Sequence, residues 1–204
     1  MGILSHTVGI FTHPDREWQK IREDHDSVGH LFLTHVPILA LIPVVSFYIG
    51  VTQFGFDVGD THRKLTPGSA LSLSILTYAA ILAGVYIFGE FIHWMARTYG
   101  VEGDEDTLRY ESHALAVFVT TPIFLVGFVG LYPDLWVNAV VTLLAACYSI
   151  YLLYEGIPIL MNIDKERAFM YASSVVTIGL VLLVIVRIGT VILWLLGFQP
   201  IYTD

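Results

Sequence analysis

Glu90 and His93 stand three residues apart in an apolar run, Phe88-Gly89-Glu90-Phe91-Ile92-His93-Trp94. On a helix this spacing puts a carboxylate and an imidazole on one face, the arrangement found in carboxylate-bridged metal sites of helix bundles. Carboxylate with imidazole suits a divalent metal ion such as zinc, iron or manganese. A complete site needs ligands from other helices, and His35, Glu155, Glu111 and His113 are the side chains of the right type. The plainer chemistry is ion pairing of Glu90 and Glu155 with Arg97 or Lys165, with the histidines capping helix ends or lying at headgroup depth. A haem held by two histidines is a third option, which would make the chain a subunit of a membrane oxidoreductase.

Two further groups invite a ligand. Arg187, in Ile185-Val186-Arg187-Ile188-Gly189, is a permanent cation within an apolar segment, suited to a substrate anion or a lipid headgroup if it does not snorkel to the outer interface. Asp57-x-x-Asp60-x-His62 offers two carboxylates and an imidazole among glycines, a cation site or simply a polar turn. The run Glu102-Gly103-Asp104-Glu105-Asp106 reads as a solvated connector. Cys147 is the one cysteine, so no intrachain disulfide forms. Walker-type, dinucleotide, Gly-x-Ser-x-Gly and His-Glu-x-x-His motifs are absent, which argues against an enzyme of those classes.

The elements that position these groups follow from composition. The 204 residues are 55% hydrophobic and only 14% charged, with a mean hydropathy of +0.70. Soluble domains carry about 25% charged residues, so lipid is the expected solvent. A net charge of −8 without a basic tract excludes nucleic acid as a partner. A hydrocarbon core needs about 20 apolar residues per helix. Five segments qualify, at about 31–52, 69–95, 113–132, 135–160 and 169–198. None alternates like a barrel strand, so the fold expected is an all-α membrane protein with five transmembrane helices.

Tyr132-Pro133-Asp134-Leu135-Trp136 joins the third and fourth spans in a tight turn. Arg16, Lys20, Arg22, Arg97, Arg109, Lys165 and Arg167 flank the spans on one side, against Arg63 and Lys64 on the other. That bias places the N-terminus in the cytoplasm and the tail, 199–204, outside. The first 30 residues have no apolar core of a signal peptide. Pro14, with Trp18 and Ile21 following, predicts an amphipathic helix on the cytoplasmic membrane surface. Pro37, Pro43, Pro122 and Pro158 kink the spans, and glycines at 84, 89, 127, 130, 179 and 189 allow close helix contact.

The run Phe11-Thr12-His13-Pro14-Asp15-Arg16-Glu17 followed by five spans resembles the bacterial inner-membrane branch of the Yip-one (Ypt/Rab-interacting) domain family. Ile42-Pro43, Thr120-Thr121-Pro122, Leu131-Tyr132-Pro133 and Tyr151 through Pro158 carry the likeness across nearly the whole chain. The resemblance implies a five-span bundle with a cytoplasmic N-terminus in the bacterial inner membrane and a periplasmic C-terminus. Eukaryotic relatives act with Rab GTPases in vesicle traffic, but their Asp-Leu-Tyr-Gly-Pro signature is absent, and no site residue carries over. The function expected is a non-enzymatic scaffold that binds membrane lipids, other membrane proteins or a second copy of itself. A small transporter or metal-binding protein using the Glu/His cluster is the alternative.

Overall fold

In the computed structural model the chain is mostly helical, and the structure describes residues 3–24, 27–58, 61–195 and 200–203. Two short helices open it, α1 (Ile3–Thr12) and α2 (Pro14–Glu23). Long helices follow: α3 (Val28–Ile49), α4 (Pro67–Thr98), α5 (Glu105–Val126), α6 (Leu135–Leu160) and α7 (Lys165–Leu195). A π-helical turn, Gly50–Phe54, prolongs α3, and a 3-10 turn, Gly127–Leu131, prolongs α5. Among the described residues four stretches are long and apolar enough to cross a membrane: Val28–Phe54, Pro67–Thr98, Glu105–Leu131 and Leu135–Leu160.

The helices start at capping side chains, several of them ahead of the first apolar residue. Ser27, Thr66, Asp104 and Asp134 each accept a hydrogen bond from a backbone N–H three residues on, which satisfies one orphan donor of the first turn. The largest consequence falls on α5. It begins at Glu105, eight residues before the apolar edge at 113, because Asp104 caps it and Glu105 and Asp106 suit the positive end of the helix dipole. Glu111 and His113 therefore lie about two turns inside α5 rather than at its start.

The central helix is α5, with Ser112, Ala114, Leu115, Ala116, Val117 and Phe118 all at or below 1% exposure. Close approach around it depends on small residues. A Cβ on Gly127 would come within 2.6 Å of the Pro43 ring on α3, and one on Gly156 within 2.7 Å of the Trp18 indole. Gly84 and Gly189 face open space instead.

Helices α1 and α2 fold back on one another and dock along the C-terminal half of α6. The Tyr148 hydroxyl donates to the Ile10 carbonyl at 3.1 Å, Phe11 stacks on Tyr148 at 5.3 Å, Trp18 covers Gly156, and Arg22 Nη1 donates to the Ile159 carbonyl at 3.2 Å. Trp18 and Ile21, the apolar face expected against lipid, are 0% and 1% exposed. Gly156 leaves the space that lets the protein, not the membrane, cover that face.

The fold is not purely helical. Strands β1 (Phe56–Val58), β2 (Thr61–Leu65) and β3 (Tyr202–Thr203) form a small antiparallel sheet in the order β1-β2-β3. Asp57 lies opposite His62, and Lys64 opposite Thr203. The segments expected as a polar turn and an outer tail thus pair their backbones with each other, helped by Phe56 packing edge-on to Tyr202 and the Arg63 guanidinium lying 5.2 Å over the Tyr202 ring.

Replacing Trp18 by Ala should empty the seat on Gly156 and Leu115 and cost about 3–5 kcal/mol. Thermal unfolding in detergent checks the loss, and tryptic cleavage after Lys20 and Arg22 should accelerate; unchanged stability and cleavage would show that the indole does not anchor the hairpin.

Candidate functional site

The chemistry-bearing side chains gather where α4 faces α5. Three residues of spacing do turn Glu90 and His93 toward the same neighbour, and each meets a different partner there. The Arg109 guanidinium donates to the Glu90 carboxylate at 2.5 Å and to the Tyr86 hydroxyl at 3.3 Å. His93 Nε2 donates to Glu105 at 3.0 Å, and Arg97 pairs with the other oxygen of the same carboxylate.

His113 is 1% exposed. Its Nδ1–H donates to the Arg109 carbonyl at 3.0 Å, and Nε2 on the other side of the ring lies 3.6 Å from the Glu90 carboxylate. Gly89 makes this possible, since a Cβ there would stand 2.6 Å from the imidazole. The two helices are stitched by a ladder of charged and polar groups, and a glycine seats its most buried member.

The remaining expected ligands do not join this ladder. His35 is buried on α3, hydrogen-bonds the Leu31 carbonyl through Nδ1 at 3.2 Å, and sets its ring edge-on to Phe118. Glu111 lies 3.9 Å from Arg22 Nε on a different face of α5. Glu155 is half-buried on α6 and, among the described residues, joins none of these pairs. Among the described residues no three His, Cys, Asp or Glu side chains come together in a way that could hold a metal ion. Glu90 and His93 have cationic or carboxylate partners of their own, so among the described residues the six do not converge on one point, and Glu90 pairs with Arg109 where Arg97 was expected. The Arg187 backbone lies in α7; its side chain, and the whole of Asp60, lie outside the described residues.

A second cluster had no sequence signal. His6 on α1 and Glu17 on α2 are 5% and 3% exposed, and His6 Nδ1 meets the Glu17 carboxylate at 2.6 Å. Lys20 donates to the other oxygen at 3.0 Å. Buried charge needs such partners, and the lack of a side chain at Gly9 leaves room for the carboxylate. The His6, His35 and Trp18 rings all pack around Phe118. A pairing eleven residues apart across the break at Pro14 has no periodic signature.

On the small sheet, His62 donates from Nδ1 to Asp57 at 2.8 Å and from Nε2 to the Phe54 carbonyl at 2.8 Å. Gly55, at φ +81°, brings that carbonyl into reach, where a side chain would strike the imidazole. Both ring nitrogens are thereby engaged, which leaves no lone pair for a cation.

A family model described as Yip1 domain matches residues 8–186, from within α1 to within α7. The chain belongs to the Yip1 domain family. It is 42% identical over 197 residues to inner membrane protein YohC of Escherichia coli strain K12, a match covering 96% of this chain and 99% of that protein. The YohC of Escherichia coli O6:H1 strain CFT073 matches to the same extent. No solved structure matches. The stretch matched by the Yip1 model contains the α4–α5 ladder, the Trp18 seat and the Asp57–His62 pair.

Both His62 nitrogens can donate at once only in the imidazolium, so its two acceptors, Asp57 first, raise the pKa above the ordinary value of about 6.5. The stabilising contribution is full below that ordinary value and is lost as pH rises through the raised one. In an Asp57→Asn variant the His62 midpoint, followed by NMR, should fall toward the ordinary value; an unmoved midpoint would remove the carboxylate as the cause.

Proposed function

We propose that this Yip1-family protein is a non-enzymatic scaffold of the bacterial inner membrane, spanning it five times, with the N-terminus cytoplasmic and the C-terminus periplasmic. The observation that carries the reading is the pairing described above. Most of the acids and bases that would do chemistry are engaged by partners across helix contacts, while Val140, Leu143 and Leu144 on α6 and Leu71 and Ile75 on α4 are exposed apolar side chains. Such flanks meet lipid or another membrane protein.

The fifth span is α7. Tyr171 and Ser174, near its start, bond to the Ile92 carbonyl and the Tyr99 hydroxyl at the last turns of α4. Past its far end, Ile201 accepts from Thr66 N–H and Thr203 pairs with Lys64 at the opposite end of α4. The chain between them must travel the length of the bundle, and 31 helical residues reach about 46 Å. Orientation is supported by Arg22, Arg97, Arg109 and Arg167 lying at one end against Arg63 and Lys64 at the other. The name of the YohC relatives, inner membrane protein, fits that placement.

A metal site built on Glu90, His93, His35, Glu155, Glu111 and His113 has less support, because the partners of Glu90 and His93 would have to be displaced. Arg187 as an anion or lipid contact is supported by its place in an apolar helix alone.

Photo-crosslinkers at Leu143 and Leu71 in inner-membrane vesicles test the scaffold. Adducts to defined membrane proteins or to a second copy, lost when the crosslinker is moved to buried Leu152, are expected. A chain that forms no protein adduct and turns over a substrate when purified would overturn the reading.

A further inference from the structure

Glu111 is the buried acid that the ladder leaves underused. It is 8% exposed, yet among the described residues its carboxylate accepts no hydrogen bond, and its nearest cation, Arg22 Nε, stands 3.9 Å away. A carboxylate has about four lone-pair sites, and burial without donors is costly. Glu111 lines a cavity of about 160 Å³ bounded also by Arg22, Glu102, Thr107 and Asn162. Arg22 uses one N–H on the Ile159 carbonyl and leaves a side chain 42% exposed. The wall therefore offers an acid that lacks donors beside a guanidinium with N–H groups to give.

We propose that this cavity, where the C-terminal ends of α2 and α6 meet the first turns of α5, binds an ammonium–phosphate zwitterion, the headgroup of an aminophospholipid. The inference rests on the membrane reading and names the lipid partner. An ammonium supplies the N–H donors that Glu111 lacks, with Glu102 adding negative charge. The phosphate, two carbons away in such a headgroup, falls to Arg22, whose planar fork suits it. The cavity is sized for a headgroup and not for an acyl chain. Its end of the bundle is the one with the basic majority, where headgroups of the cytoplasmic leaflet lie. A trimethylated headgroup has no N–H to give, and a glycerol headgroup has no cation.

Native mass spectrometry of the full-length protein in detergent, with phosphatidylethanolamine, phosphatidylglycerol and phosphatidylcholine added separately, tests the site. Phosphatidylethanolamine should be retained in preference to the other two. Glu111→Gln and Arg22→Gln should each reduce that retention by about tenfold, the scale of one charge-assisted hydrogen bond. Glu102→Gln, on the exposed wall and harmless to folding, should lower it less, and keeps the test open if either other variant fails to fold. Equal retention of the three lipids, or full retention by the variants, would overturn the proposal. Displacement of the lipid by free O-phosphoethanolamine at matching concentration would overturn the lipid assignment in favour of a soluble zwitterion. Protein capture from Leu143 and Leu71 reads other surfaces, so loss of lipid binding with capture intact separates this inference from the scaffold.

Discussion

An ionisable group on an apolar helix is costly unless a partner meets it, and the pairs made between α4 and α5 tie these two helices together. Four charged or ionisable groups on these helices, Glu90, His93, Glu105 and Arg109, meet across the contact, with Arg97, Tyr86 and His113 completing the pairs. Rotating either helix by a residue would part Glu90 from Arg109 and His93 from Glu105. Apolar packing alone would not fix that rotation, because lipid tails are as apolar as leucine. The same rule joins α1 to α2 through Glu17 and its two cationic or imidazole partners.

Small residues then set how near the paired helices come. Gly89 seats the His113 ring, Gly156 seats Trp18, and Gly127 seats Pro43. In each case one glycine receives one ring, and at Gly89 the close approach coincides with the polar ladder. The consequence for function is a body whose acids and bases are mostly occupied and whose outer flanks are apolar. The exception is Glu111, buried beside a cavity with one distant cation.

Much of this arrangement was legible in the sequence, and its limits have physical causes. The Glu-x-x-His spacing correctly turned both side chains to one neighbour, and Tyr132-Pro133-Asp134 correctly marked a tight turn that caps α6. Hydropathy placed the apolar segments but not the helix starts, because it marks the edge of grease while caps mark the edge of the helix. Hydropathy alone therefore leaves Arg109 among the charges that flank the spans, although it lies inside α5 as the partner of Glu90. His6 with Glu17, and the pairing of the tail with Lys64, join residues that no local spacing connects. The family was legible because its likeness runs along the chain, whereas a ligand site depends on which side of each helix a residue occupies.

The α4–α5 pairing is tested most directly by a charge exchange between Glu90 and Arg109, read as thermal stability of the detergent-purified protein. Glu90→Arg alone and Arg109→Glu alone should each destabilise the bundle by setting like charges together, and the double exchange should recover most of the loss. Strictly additive destabilisation in the double variant would mean that the α4–α5 ladder does not hold these helices in register.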